Sequence, residues 1–245
     1  MRRWAWCFVF TGLWQTALGQ EIPANCLQLI VVESASWTAV QGKLQRYERT
    51  DTKSKWKKVG TPIKVVIGKS GMGWDRQQVS KLRDMQAPFK REGDGKAPAG
   101  LFPLLCAYGY QLPQKQWKIP YIQVNEKTLC IDDPQSRYYN QIICLDTIAH
   151  SDWKSYENML RQDDLYRLGI VIGYNTAAIS GNGSCIFMHL REGSTGQARG
   201  TAGCTAMLYQ DLLQIINWLD AAKKPMLLQL PTCELSPRRK AIGLP

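Results

Sequence analysis

Apolar residues come in short bursts along most of this chain, and only late do they settle into the spacing of a clear helix. Cys26-Leu-Gln-Leu-Ile-Val-Val-Glu33 is rich in β-branched and apolar residues, Leu44-Gln-Arg-Tyr-Glu-Arg49 alternates, and Ile63-Lys-Val-Val-Ile67 stops at Gly68. These are expected to be strands joined by hairpins. Leu101-Phe-Pro-Leu-Leu-Cys106 and Tyr121-Ile-Gln-Val124 read as further strands, the first at a sheet edge because Pro103 has no amide to donate. Leu168-Gly-Ile-Val-Ile-Gly-Tyr174 and Cys185-Ile-Phe-Met-His-Leu190 read as core strands, and Met226-Leu-Leu-Gln-Leu230 as the last one. Ser151 to Leu160 is amphipathic and predicts a short helix with Ser151 as its N-cap. Met207, Leu208, Leu212, Ile215, Ile216 and Leu219 recur at three and four, which predicts a helix ending near Lys223-Lys224-Pro225. Many short strands with one or two helices point to a mainly β sandwich or barrel, not a βαβ array.

Between the third and fourth of these strands lies a turn-rich stretch from Gly68 through Gly71, Gly73, Pro88, Gly93, Gly95, Pro98 and Gly100. It is long for a simple connection, and loops of that kind more often carry function. No Pro/Gly/Ser linker or fixed-period repeat divides the chain, so residues 20–245 read as a single domain. Residues 1–19 read as a signal peptide: Arg2 and Arg3 are followed by the apolar Trp4 to Leu13 and by small residues in Ala17-Leu18-Gly19. An exported protein is expected, in the periplasm or associated with the cell envelope.

Export changes how the cysteines count. Without Cys7 the chain keeps Cys26, Cys106, Cys130, Cys144, Cys185, Cys204 and Cys233, an odd number. In an oxidising compartment six can form three bridges and leave one thiol, with Cys130 and Cys144 a candidate local pair. There is no CxxC pair and only two histidines, His150 and His189, so neither a zinc site nor any other metal or cofactor is expected. The formal charge of +11, about +9 without Arg2 and Arg3, implies polyanionic surroundings. The leader argues against nucleic acid as that partner. Lys53-Ser-Lys55-Trp56-Lys57-Lys58, the densest basic run, reads first as a solvated hairpin loop.

His189 ends an apolar strand, and Cys204 follows 15 residues later, after a loop containing Gly193, Gly196, Gly200 and Gly203. An imidazole that takes a thiol's proton makes it a nucleophile, and a strand end can hold that imidazole rigidly. The loop can fold the cysteine back over the strand, with the amides of Gly203 and Cys204 as candidate oxyanion donors. A satisfied core histidine and a half-cystine are the ordinary alternatives.

Several segments together resemble the catalytic domain of L,D-transpeptidases of the YkuD type, in the branch carrying a GDGKxPAG segment. They are Gly68-Lys-Ser-Gly71, Trp74, Glu92-Gly-Asp-Gly-Lys-Ala-Pro-Ala-Gly-Leu-Phe-Pro103, Asp132-Asp-Pro134 with Ser136 and Tyr139-Asn140, Asp152-Trp153, Ser184-Cys-Ile-Phe-Met-His189 and Gly200-Thr-Ala-Gly-Cys-Thr205, spanning about residues 60–231. The resemblance implies a YkuD-type β fold with a helix after the catalytic cysteine. It makes Cys204 the nucleophile that attacks the third-residue carbonyl of a peptidoglycan tetrapeptide stem and expels D-alanine, and His189 the base. The acyl group then passes to an amine of a second stem, so donor and acceptor stems are the expected partners. It further implies a backbone carbonyl that orients the imidazole, for which Leu190 is the local candidate.

The chain departs from the commoner motif at Ala202, where a second histidine is usual, and at Ala206, where Arg or Asn is frequent. Substrate contacts are therefore sought elsewhere. Arg199 is a candidate for a carboxylate. Asp94 is one for a free ammonium and Lys96 for a carboxylate, against the alternative of a tight turn in which Asp94 bonds its own backbone. Asp133 and Asp132 are weaker candidates, and His150 is read as packing locally. Asn182-Gly183-Ser184 matches a glycosylation acceptor in form only. Hydrolysis of the same acyl-enzyme, an L,D-carboxypeptidase, and a non-catalytic wall-binding module remain as alternatives.

Overall fold

A computed structural model describes residues 22–79, 88–191 and 199–245. The expected leader lies outside the described residues. Thirteen strands appear among the described residues: β1 (Gln28–Ser34), β2 (Gln41–Glu48), β3 (Lys57–Val66), β4 (Met72–Trp74), β5 (Ala97–Gly109), β6 (Tyr121–Gln123), β7 (Thr128–Ile131), β8 (Ile142–Cys144), β9 (Tyr156–Asn158), β10 (Leu168–Ile172), β11 (Phe187–Leu190), β12 (Thr205–Met207) and β13 (Met226–Pro231). Helix α1 (Tyr209–Trp218) precedes β13, and the short α2 (Thr232–Leu235) follows it.

Eight strands close on themselves in the order β1, β2, β3, β12, β11, β10, β5, β13 and back to β1. The sandwich-or-barrel expectation thus resolves to a closed barrel, which leaves none of those eight strands with a free edge. The long β5 holds much of the ring together: it pairs with β13 and β10, and β4 and β6 attach to it. Among the described residues no helix is long and apolar enough to cross a membrane.

Three expectations are corrected by this arrangement. The strand containing Pro103 is central, not an edge. Pro103 pairs in register with Met226 and is exposed, and the ladder to β10 shifts register between Val171 and Ile172. Around it the Leu104 amide turns to the Pro225 carbonyl and Gly173 N–H to the Pro103 carbonyl, so a bulge absorbs the missing donor. Ser151 to Leu160 forms no helix. Met159 is buried but Tyr156 and Leu160 are exposed, so the apparent stripe has no single buried face, and β9 instead pairs with β7. The third correction concerns α1, which stops at Trp218. Leu219 and Asp220 are extended, and the Asp220 carboxylate accepts from the Ala222 amide to start a separate 3-10 turn before Pro225.

A second sheet, β8-β7-β9, lies outside the barrel and is fastened to it covalently. The bridge is Cys130–Cys185, not Cys130–Cys144. In the β7–β8 ladder Cys130 stands opposite Ile142, and Cys144 opposite Thr128, which offsets the two cysteines by two residues. Cys26, Cys106, Cys144, Cys204 and Cys233 are all free thiols, so among the described residues one bridge forms where three were expected. Asn140 adds a second fastening between the sheet and the barrel. Its Nδ2 donates to the carbonyls of Tyr174 and Asn175, and its Oδ1 accepts from the Cys185 amide.

The bridge closes a loop of 55 residues. Chain entropy makes its removal cost about 4 kcal/mol. Urea unfolding of a Cys130→Ala/Cys185→Ala double variant is expected to show a midpoint lowered accordingly. An unchanged midpoint would mean that the noncovalent contacts of the second sheet, the Asn140 hydrogen bonds among them, hold it without the bridge.

Candidate active site

The site forms where β11 runs parallel to β12. His189 stands beside Ala206 in that register and Met188 beside Thr205. Cys204, two residues before Ala206, therefore faces the same side of the sheet as His189, one step along the neighbouring strand. Both are buried, each with 6% of its surface exposed. The histidine and the cysteine singled out by the sequence are thus brought to one face of the barrel wall.

Local hydrogen bonds fix each partner. His189 Nδ1 lies 2.7 Å from the Leu190 carbonyl oxygen. A carbonyl only accepts, so Nδ1 carries the proton and Nε2 is left with its lone pair. The Cys204 sulphur accepts from the Phe187 amide at 3.3 Å, and its thiol reaches the Cys185 carbonyl at 3.5 Å. Cys185 is held in the left-handed region, φ 52°, between its disulfide and its hydrogen bond to Asn140. The strut that positions the sulphur is therefore tied to the second sheet.

Gly203 packs tightly: a Cβ there would lie 3.0 Å from the Lys96 carbonyl oxygen, closer than an ordinary contact. The Gly203 amide donates to Thr201 Oγ1, and the Thr201 hydroxyl to the Cys204 carbonyl at 2.6 Å. Of the two amides expected at an oxyanion, Gly203 is thus engaged internally and Cys204 N–H is the remaining candidate. Gly193 and Gly196 lie outside the described residues.

Aromatic rings wall the pair. Tyr166 packs edge-on against His189 at 5.2 Å and against Phe187 at 5.6 Å, and Tyr108 packs against Phe187 at 5.3 Å. Tyr166 donates to Glu157 Oε2 at 2.6 Å. Glu157 stands opposite Cys130 in the β9–β7 ladder, so its side chain shares the face of the second sheet that the disulfide draws onto the barrel. Burial raises the Glu157 carboxyl above the usual range, with Asp132 and Glu92 adding to the effect. Two buried polar atoms here have no hydrogen-bond partner, the Tyr108 hydroxyl and Asp132 Oδ1.

Burial also sets the protonation of the pair. It pushes the Cys204 thiol up to about 12, the Glu157 charge adding and the Phe187 amide, Lys90 and Arg161 opposing. It pulls His189 down to about 4 against the pull of the Leu190 carbonyl. At neutral pH the resting state is a thiol beside a neutral imidazole, not an ion pair.

The expected substrate residues fare unevenly. Asp94 accepts from Lys90 Nζ, the Arg91 amide and the Lys96 amide, so its carboxylate organises its own turn as in the alternative reading. Asp133 likewise accepts from the amides of Gln135 and Lys154, which hold it below the usual carboxylate range. Lys96 is half-buried, with its carbonyl beside Gly203. Arg199 is exposed at the edge of the described residues, and His150 is exposed with its carbonyl accepting from Arg137. Sequence reasoning missed Glu157, Tyr166, Tyr108 and Lys90. Lys90 is buried and its Nζ bonds Asp94 at 2.9 Å. Among the described residues no three His, Cys, Asp or Glu side chains converge to hold a metal ion.

No protein-family profile and no curated protein matches the chain. Bd1075 of Bdellovibrio bacteriovorus is similar in its solved structure, with 15% identity and a TM-score of 0.43, over 93% of this chain. The chain spans 59% of the length of that protein.

The depressed histidine makes stability depend on pH. The unfolded imidazole titrates near 6.5 and the folded one near 4, so between these values the unfolded chain binds the extra proton. Stability is therefore full above 6.5 and falls with acid by up to about 3 kcal/mol as pH approaches 4. Urea unfolding at pH 7, 5.5 and 4 measures this, and His189→Gln is expected to flatten that part of the profile. An equally steep profile in the variant would remove His189 as the cause.

Proposed function

We propose that this protein is a cysteine acyltransferase acting as a peptidoglycan L,D-transpeptidase of YkuD type, working outside the cytoplasm. The observation that carries the reading is the placement of Cys204 and His189 on one face of neighbouring strands, with His189 Nδ1 bonded to the Leu190 carbonyl and Nε2 left to accept a proton. The sequence motifs supply the substrate class.

In this reading the Cys204 thiol gives its proton to His189 Nε2 as sulphur bonds the third-residue carbonyl carbon of a tetrapeptide stem. Collapse of the tetrahedral intermediate breaks the bond to D-alanine, whose nitrogen takes the proton from His189. An acceptor amine then attacks the thioester, passing its proton through His189 back to sulphur. Because the resting pair is neutral, proton transfer accompanies attack and no standing thiolate is needed. The Phe187 amide steadies charge on sulphur in both directions. With Asp94 engaged in its own turn, our candidates for a carboxylate that takes a cationic donor side chain are Glu157, bonded to the Tyr166 that packs on His189, and Asp132, whose buried Oδ1 has no partner.

Hydrolysis of the same acyl-enzyme, as in an L,D-carboxypeptidase, is the second reading, and a non-catalytic wall-binding module the third. The five free thiols remove any expectation that a single labelled cysteine identifies the nucleophile. Incubation with purified muropeptides followed by mass spectrometry separates the readings: dimers and free D-alanine mean transfer, tripeptides alone mean hydrolysis, and no turnover means a binding module. Cys204→Ala is expected to abolish the reaction, and His189→Ala to slow it by roughly a hundredfold or more. The rate should fall on the acid side near pH 4, since His189 must be neutral to accept a proton. An acid limb near 6.5 would mean that burial does not depress His189 in the working protein, and an acid limb retained unchanged in the residual rate of His189→Ala would remove it as the base.

A further inference from the structure

A concavity that none of the proposed catalytic groups lines lies on the barrel wall, where the segment after β5 meets the start of β10 and of α1. It encloses about 460 Å³, within the range of small-molecule sites, and is lined by Gln111, Gln114, Trp117, Tyr121, Arg167 and Tyr209 among others. Arg167 immediately follows Tyr166, which packs on His189, so the concavity and the thiol site are neighbours along one segment.

The polar tips of two of its rings are turned to the protein. Trp117 Nε1 donates to Asn217 Oδ1 at 2.8 Å, and the Tyr121 hydroxyl to the Gln111 carbonyl at 2.6 Å. What these rings offer a ligand is therefore apolar face and edge. The rings of Trp117 and Tyr121 lie 5.4 Å apart and tilted at 48°, which makes a trough and not a flat stack. The exposed amides of Gln111 and Gln114 stand beside it, each able to donate and accept, Gln114 Oε1 already accepting one bond from Gln116 Nε2. Arg167 is the one charged residue of the lining; its guanidinium already lies over the Tyr209 ring at 4.8 Å and within 4.0 Å of the Asp164 carboxylate.

This chemistry selects among ligands. An anion would find one positive charge, Arg167, already shared between the Tyr209 ring and Asp164, and a cation would find no carboxylate in the lining. A lipid or apolar peptide would meet the rings and the exposed Leu112 but would leave the amides without partners. A neutral sugar chain meets all the requirements: its axial C–H faces suit the electron-rich ring faces, and its vicinal hydroxyls suit side-chain amides that donate and accept together. We propose that this trough binds a neutral polysaccharide strand. The inference goes beyond the proposed reaction and uses none of its catalytic groups.

The probe is a soluble tetramer of β-1,4-linked N-acetylglucosamine, followed by saturation-transfer NMR on the full chain carrying Cys204→Ala, which keeps the measurement independent of turnover. Transfer to sugar-ring protons is expected, weakened at least about fivefold by Trp117→Ala. Trp117 also packs against the core, so Gln111→Ala/Gln114→Ala, altered only at exposed side chains, serves as a variant that leaves folding untouched and should weaken transfer severalfold. No transfer at millimolar sugar, or equal transfer in the glutamine variant, overturns the proposal. Failure of wild-type protein to turn over muropeptides while the sugar still binds would overturn the acyl-transfer reading and leave the trough intact. Turnover without sugar binding would do the reverse.

Discussion

The parallel register between β11 and β12 is the constraint on which the rest of the site depends. Side chains alternate faces along a strand, so a slip by one residue would turn Cys204 away from His189 and bury it on the other side of the wall. Three features oppose that slip. The Cys204 sulphur is hydrogen-bonded to the Phe187 amide, the Thr201 hydroxyl bonds the Cys204 carbonyl, and Gly203 lies close against the Lys96 carbonyl, where a Cβ would be tightly packed. The turn organised by Asp94 enters here as the support of that carbonyl. A residue expected to touch substrate thus contributes by shaping the turn against which Gly203 and Cys204 rest.

Enclosure has an electrostatic consequence. A thiol and an imidazole in water near pH 7 would carry some charge between them, whereas here both charged forms are penalised and the pair rests neutral. Glu157 deepens this by disfavouring thiolate, while Lys90 and Arg161 oppose it. Such a thiol is a poor target for adventitious electrophiles and oxidants, which react with thiolates. Its reactivity is conditional on a bound group that changes the local charge or shares the proton.

Much of the architecture was legible because burial imposes periodicity. The apolar runs at 26–33, 168–174, 185–190 and 226–230 are barrel strands, and the three-and-four spacing after Cys204 is a helix whose Leu212, Ile215 and Ile216 are fully buried. The failures have a common origin in contacts between distant parts of the chain. Pro103 looked like an edge residue because the bulge that accommodates it is formed by β10. Residues 151–160 looked helical because Trp153 and Met159 are held by the second sheet, not by a shared helix face. Glu157 gave no signal at all: its three-residue strand is too short to show a period, and its burial is imposed by a disulfide 55 residues long in sequence. Cysteine parity suggested one spare thiol, but Cys26 is buried and Cys106 half-buried, where a thiol packs as a small apolar group.

Cys185 joins two requirements that ordinarily exclude each other. Its backbone sits in a region that glycine occupies freely and other residues enter at about 1–2 kcal/mol, yet its side chain must be a cysteine for the second sheet to be tethered. Neither glycine nor any other residue satisfies both. Replacement by glycine would relax the backbone while cutting the tether, so part of the loss would be masked in a measurement of stability alone. The position of the sulphur next door, which depends on the Cys185 carbonyl, would register the whole of it.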